Sequence, residues 1–591
     1  MRTRTRKEAV YKGIRVSPGI FIGKVTIIAR PSVTVSTRKL RSDKAVEEEI
    51  QKFMAARDMF VKDLERGITT LPESILTVVQ SQISILKDPN LEREVIAIIR
   101  EERRPAEYAV NKVLQKLSRQ LQRSESDYMR ERAEEIKRMA SDFVLRIQNS
   151  GHLQGHKVIL RNRAIVTDDL SVQETLRSIR AGAKAFAFSA GGKTSHAGII
   201  IRNYHLPAVF ALGDEFISSV STGDRVIVDG YTGVVIVHPK KATLLRYKGL
   251  RERYKLQEKK LLELKDKPAM TSDQVRLTLL ANIDVPDELD LVKNYGAQGI
   301  GLFRTEYLFE SYKLDEAIQT RIYRKVARQV YPGPLVIRLF DLGADKVFGR
   351  EMKHPALGMR GIRVLLKDEK LLRTQIRAII KANQQGNVKL MIPMVSLLEE
   401  VEAVKEILKQ EYRQLKSNPV NKALQLPELG IMIETPSAAL MSDILADHVN
   451  FFSIGTNDLT QYVLAVARGD AELAHMYNHL HPAVLRSIKW VCDNAHRKNV
   501  WVGVCGELAS DPLGVPLLIG MRVDELSVAP GALLTTKNII NSVPYEEAKE
   551  LVNKVMKLST VDEVRDAVTS FLKKYVEEIV LEGGAYHEDK A

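Results

Sequence analysis

The segment 189–210, SAGGKTSHAGIIIRNYHLPAVF, places His196 at the end of a glycine-rich turn that runs into an apolar stretch with helical spacing. Gly191 and Gly192 let the backbone bend without steric cost, and Thr194 and Ser195 are of the types that cap a following helix. A helix N-terminus carries unsatisfied N–H groups and a partial positive charge, which favour an arriving phosphate. An imidazole held there is able to become a phosphohistidine, although such a histidine taken alone is more often a capping or packing residue.

A second set of reactive types stands at the ends of short apolar runs in the C-terminal half. They are Arg304 in GLFRTE, Arg338 and Asp341 in IRLFDLGADK, Glu434 in MIETP, Asn457 and Asp458 in GTNDLTQY, and Cys505 and Glu507 in VCGELA. Arg468, in AVARGD, follows one of them closely. Singly, each has a structural reading: an arginine can pair with a neighbouring carboxylate, and a cysteine is often a small apolar filler. Together, Arg304, Arg338 and Arg468 can bind a phosphate or carboxylate through fixed forks. Glu434 and Asp458 supply hard oxygen ligands for Mg²⁺, which completes its shell with substrate oxygens and water. The set describes a site for a small, highly anionic, phosphorylated substrate.

The runs that carry these residues are 275–283, 299–304, 335–342, 389–395, 429–434, 451–455, 501–505 and 525–528. Eight strand-like runs, most of them separated by helical stretches, predict a (β/α)₈ TIM barrel, whose active site lies at the C-terminal strand ends. Upstream, 11–36 reads as short strands around a Ser-Pro-Gly turn. From Arg41 to about Ile147 the only breakers are Gly67, Pro72, Pro89 and Pro105, and the apolar spacing is helical. From about Lys157 short strands and helices alternate again, with the His196 loop among them. The helical bundle therefore reads as an insertion into one α/β domain. A lysine- and arginine-rich helix over 240–267 ends at Pro268. The expected organisation is multidomain α/β: residues 1–40 plus 150–240, the inserted helices 41–149, a linker helix 241–267 and the barrel 268–591.

Composition narrows the setting. The chain has 591 residues and 45% hydrophobic content, ordinary for globular proteins. No apolar run approaches a membrane span, and the basic N-terminus lacks the apolar core of a secretory signal. Two cysteines, Cys492 and Cys505, are too few for a disulfide framework and point to a reducing cytoplasm. The net charge of +15 raises nucleic acid as a partner, but the excess is spread, with concentrations at 2–7 and 240–260. No zinc-finger spacing, RNA-recognition signature or aromatic-interleaved basic patch accompanies it, so a solvated surface is expected, with no nucleic-acid partner and no membrane insertion.

At this level of detail the chain resembles enzyme I of the bacterial sugar phosphotransferase system, the phosphoenolpyruvate–protein phosphotransferases. GGKTSHAGIIIRNYHLPAV resembles the family's phosphohistidine motif. GLFRTEYLF, IRLFDLGADK, PALGMRGIR, IMIETPSAA, FFSIGTNDLTQYVLAV and GVCGELASDPL resemble its barrel motifs in the same order. ESDYMRERAEEI, at the end of the helical insert, belongs to the same likeness. The resemblance implies a swivelling phosphohistidine domain in which His196 takes the phosphoryl group of phosphoenolpyruvate. Arg304, Arg338, Asn457 and Arg468 would hold that substrate with Asp458 nearby, and Arg360 would add positive charge. Glu434 and Asp458 would bind Mg²⁺, and Cys505 would protonate the enolate to give pyruvate. The helical insert would dock the carrier HPr, and the barrel would form a homodimer.

Some positions depart from the family pattern. His354 stands where an asparagine is usual, Ala467 where an aspartate is, and Ser171 where a threonine orients the active histidine. Gln80 and Gln82 replace a glutamate and a histidine in the insert, and the basic charge is unlike the usually acidic relatives. The core chemistry is expected intact and the carrier-docking face altered. Two other readings compete. Pyruvate phosphate dikinase and phosphoenolpyruvate synthase share the histidine domain and barrel, but carry a nucleotide-binding domain where this chain has short strands and the bundle. A regulatory phosphoprotein or scaffold would fit the altered insert.

Overall fold

The computed structural model describes residues 7–28, 35–67, 82–122, 127–148, 160–170, 172–191, 195–204, 206–312, 315–348, 357–467 and 473–577. They form two compact units, 1–256 and 257–591.

The first unit holds a sheet of eight strands: β1 (Ala9–Lys12), β2 (Ile14–Ser17), β3 (Ile20–Ile27), β4 (Arg163–Thr167), β5 (Ala185–Phe188), β6 (Ala208–Phe210), β7 (Arg225–Asp229) and β8 (Val234–Val237). Their order is β1-β8-β7-β3-β4-β5-β6-β2, with β3 to β6 parallel and the remaining pairs antiparallel. β3 and β4 are neighbours although the helices Asp43–Gly67, Pro89–Glu101, Ala106–Gln122 and Asp127–Gln148 lie between them in sequence. These helices bury a core of their own around Phe53, Phe60, Val110 and Phe143. Sequence patterning places them outside the sheet for a simple reason: their apolar residues recur at helical rather than alternating spacing.

The second unit contains a closed barrel of eight parallel strands: β9 (Thr278–Ile283), β10 (Ile300–Phe303), β11 (Leu335–Arg338), β12 (Val388–Ile392), β13 (Glu428–Ile433), β14 (Phe451–Ile454), β15 (Trp501–Val504) and β16 (Glu525–Val528). The eight sequence-expected runs coincide with these strands. Several runs extend past them, because the apolar stretch continues into the loop at the C-terminal end. Alternation sorts each strand into two faces. Leu335, Ile337, Ile431, Ile433, Phe452 and Ile454 pack outward against the helices. Leu302, Val336, Met391, Met432, Phe451 and Cys505 form the interior cluster. Two residues beyond Leu302, Val336 and Met432 stand Arg304, Arg338 and Glu434, on the interior parity at the barrel's C-terminal mouth.

Among the described residues, no helix is long and apolar enough to cross a membrane.

Candidate active site

In the first unit, the His196 segment is built as a turn and a cap. Gly191 has φ +90°, a conformation that carries no steric cost only for glycine. Ser195 is the N-cap of the helix His196–Asn203, and its hydroxyl accepts the Gly198 N–H at 3.2 Å. The His196 backbone opens this helix. Ala197 and Ile201 pack into the core beside the sheet, and Ile200 packs into the core of the helical insert. Thr194, Ser171, Arg468, His354 and Gln80 lie outside the described residues.

At the barrel mouth, Arg338 closes β11 and is 8% exposed. Its Nη2 donates to Glu306 Oε1 at 2.9 Å, and its Nη1 lies 3.5 Å from Asp341 Oδ2. Glu306 Oε1 also accepts the Asp341 N–H at 2.9 Å, so one carboxylate ties the β10 loop to the β11 loop. Asp341 receives Arg360 through two parallel hydrogen bonds, Nε to Oδ1 at 2.9 Å and Nη2 to Oδ2 at 2.8 Å. The remaining Arg360 Nη1 stands 3.6 Å from Asp458 Oδ1. A Cβ at Gly361 (φ +57°) would come within 3.2 Å of Asp341 Oδ1 and 2.8 Å of Met394 Cβ, which leaves that position to glycine.

Burial and neighbouring charges compete at each of these groups. Burial would lower the Arg338 guanidinium, but Glu306, Asp341 and Glu434 outweigh it and hold the group charged. The same balance holds Arg360 charged through Asp341 and Asp458. Burial would raise the Asp341 carboxyl, yet Arg338 and Arg360 hold it below the usual range. Glu434 is the opposite case. Burial, reinforced by Asp458 and Asp341, pushes its carboxyl up to about 8.

Glu434 follows β13 and is 1% exposed. Its Oε1 accepts the Met394 N–H at 2.7 Å. Met394 adopts φ +57°, uncommon for a side chain of its size, and that backbone conformation accompanies the donation. On the other side, a Cβ at Gly455 would stand 3.0 Å from Glu434 Oε2. Asp458 thus raises the cost of charging Glu434 even with Arg360 beside it, an arrangement that a hard divalent ion relieves. Among the described residues no group of three or more His, Cys, Asp or Glu gathers as a metal cage, so such an ion would draw its other ligands from substrate and water.

Cys505 follows β15 and lies in the barrel interior, its Sγ 3.7 Å from the Ile454 carbonyl oxygen. Burial pushes its thiol up to about 11. The thiol is therefore a neutral proton carrier near pH 7. Asn457, in the first turn of the helix Thr456–Leu464, accepts the Glu507 N–H at 2.8 Å through Oδ1. Arg304 is half-exposed and pairs with Asp284 at 3.1 Å.

The structure brings Arg338, Arg360, Glu434 and Asp458 into one charge-coupled group, with Cys505 beside it. Sequence reasoning assigned no role to Glu306 or Met394. Glu306 was legible as the carboxylate two positions after Arg304 in GLFRTE. Met394 carries no sequence signal, because its contribution is a backbone N–H.

Three family models match the chain: PEP-utilising enzyme, N-terminal, over 12–132; PEP-utilising enzyme, mobile domain, over 160–233; and PEP-utilising enzyme, PEP-binding domain, over 258–545. A phosphoenolpyruvate-protein phosphotransferase of Bacillus sp. (strain S) is 35% identical over 585 residues, covering 96% of this chain and 98% of its own. One of Haemophilus influenzae is 34% identical over 586 residues, covering 95% and 99%. Among solved structures, an NMR solution structure of Enzyme I is 30% identical, covers 42% of this chain and 99% of that one, and has a TM-score of 0.35. With matches that run nearly end to end along the curated relatives, the chain belongs to the phosphoenolpyruvate–protein phosphotransferase family of PEP-utilising enzymes.

Proposed function

We propose that the chain transfers the phosphoryl group of phosphoenolpyruvate to His196, releasing pyruvate, and passes it on to a histidine of the carrier HPr. The observation that carries this reading is the partly buried chain Glu306–Arg338–Asp341–Arg360–Asp458 at the barrel mouth, next to Glu434 and Cys505. Arg338 and Arg360 are charged and held in place before any substrate arrives. With Arg304, Arg468 and Asn457 they bind the phosphate and carboxylate of phosphoenolpyruvate. Phosphoryl transfer needs positioning and charge neutralisation above all, and preorganised guanidinium groups provide both.

Glu434 and Asp458 would hold Mg²⁺, which would supply charge neutralisation for the phosphoryl group. The His196 imidazole attacks phosphorus, the bond from phosphorus to the enol oxygen breaks, and enolpyruvate leaves as the enolate. The Cys505 thiol gives its proton to the methylene carbon of that enolate, producing pyruvate. Ser195 caps the helix that His196 opens. The second half-reaction requires HPr at the helical insert, and the protein works as a cytoplasmic homodimer through its barrel.

Incubation with ³²P-labelled phosphoenolpyruvate and Mg²⁺ tests the first half. The wild type should acquire an acid-labile label that His196→Ala does not. A label undiminished in His196→Ala would overturn the mechanism. Label that forms on His196 but fails to move to added HPr would instead favour a regulatory phosphoprotein, the reading that the altered insert supports.

A further inference from the structure

The helix Glu316–Val330, on the outside of the barrel, carries Arg321, Arg324, Lys325 and Arg328 at spacings of three and four. Those spacings put the four cations on one side of the helix, while Ile322, Tyr323, Val326 and Ala327 pack into the core. The four line a cavity of about 720 Å³, together with Thr320 and with Lys381 of the helix Glu369–Ala382. Both helices run toward the N-terminal ends of the next barrel strands, so the Arg328 and Lys381 ends of this cavity lie on the side away from the catalytic mouth.

Like charges at these spacings repel, so the stripe does not serve helix stability. Only Arg328 lies in the last turn, where the helix dipole favours a cation. Internal counter-charge is scarce. Glu316 is engaged by Lys381 at 2.5 Å and by Arg377 at 2.8 Å. Among the described residues, Arg321 and Arg328 form no ion pair. Arg324 donates through Nη2 to the Lys381 carbonyl oxygen, which leaves its Nε without a partner. Thr320, 8% exposed, has an unpartnered hydroxyl in the same wall.

We propose that this cavity binds a charge-dense, phosphate-bearing small molecule, an oligophosphate or a bisphosphorylated metabolite, independently of the barrel mouth. Its volume is that of a small-molecule site. Three guanidinium groups suit phosphate oxygens through their forked geometry. The lining contains no aromatic ring, so it offers no stacking platform for a base, and charge alone defines the ligand.

Calorimetric titration of the full chain with inorganic tripolyphosphate, without Mg²⁺, tests the site. The wild type should bind, and the double variant Arg321→Gln/Arg328→Gln should bind about tenfold more weakly or worse, since hydrogen bonds to charged groups are lost. That variant should turn over phosphoenolpyruvate at the wild-type rate. Arg304→Ala, which weakens the barrel mouth, should leave tripolyphosphate binding unchanged. Equal affinity in the double variant, or loss of binding in Arg304→Ala alone, overturns the proposal. So does a single-stranded oligonucleotide that binds through the same arginines more tightly than tripolyphosphate, which would make the face a nucleic-acid surface. Should the double variant fail to fold, Arg321→Gln alone, an exposed position, gives the same comparison.

Discussion

Asp341 grips Arg360 through both carboxylate oxygens, at 2.9 and 2.8 Å, and its Oδ2 also lies 3.5 Å from Arg338. One buried acid therefore sets the orientation of two arginines, one closing β11 and the other just ahead of the helix Ile362–Lys367 in the connection that follows it. It also divides their labour: Arg360 reaches Asp458 with its remaining nitrogen, while Arg338 is held from the other side by Glu306.

Asp341→Asn should damage both binding and stability. Breaking one partner of a buried ion pair costs about 3–5 kcal/mol. Thermal unfolding should shift down by several degrees, and the KM for phosphoenolpyruvate should rise by about tenfold or more. An unchanged KM in a folded variant would mean that Arg338 and Arg360 do not touch substrate.

Glu306 should show a graded response. Glu306→Gln keeps a carbonyl oxygen for the Asp341 N–H but loses the charge facing Arg338. Glu306→Ala loses both. Since a hydrogen bond to a charged group contributes about 1.5–3 kcal/mol, kcat/KM should fall in the order wild type, glutamine, alanine. Steady-state kinetics on the three proteins checks this, and equal values for glutamine and alanine would dismiss the bridging role.

Cys505→Ser should separate binding from protonation. The serine hydroxyl is a far weaker acid than a thiol pushed up to about 11. The expected result is a kcat lower by about 10²-fold or more with a KM within about threefold of wild type. Single-turnover measurement of pyruvate release gives the split. A raised KM with unchanged kcat would move Cys505 from proton donor to packing residue.

Metal removal should act through Glu434 and Asp458. Chelation should abolish phosphoryl transfer, and Mg²⁺ should restore it. Glu434→Gln should raise the Mg²⁺ concentration for half-maximal activity by about tenfold or more. Full activity in chelator would remove the ion from the mechanism.

Glu525 predicts a pH dependence of stability remote from the mouth. It begins β16 at the opposite end of the barrel and is 5% exposed. Burial pushes its carboxyl up to about 8, with Lys389 opposing and Asp524 adding. Unfolded, the same group titrates near 4.5. Between those values the unfolded chain has released the proton and the folded chain retains it, so stability falls as pH rises through that window and is level outside it. The effect is on the order of 5 kcal/mol across the window. Chemical denaturation at pH 5, 6.5 and 8 should show the fall in the wild type and a flatter profile in Glu525→Gln. Parallel profiles would refute the assignment.

Sequence by itself determined the barrel, the inserted helices and the residue types at the mouth. Those follow from periodicity. Alternating runs make strands, helical spacing makes helices, and the residue after a barrel strand is at the mouth whatever its neighbours are. Arg304, Arg338, Glu434 and Cys505 were legible for that reason. Tertiary structure alone decided which charges meet. Asp341 and Arg360 are 19 residues apart, Arg338 and Glu306 32 apart, and Met394 and Glu434 40 apart, and nothing local links them. Their pairing depends on the register in which neighbouring parallel strands deliver their loops. The buried state of Glu434 and the arrival of Lys381 beside the cations of the helix Glu316–Val330 depend likewise on packing, because desolvation and Coulomb energy are properties of distance in space, not of distance along the chain.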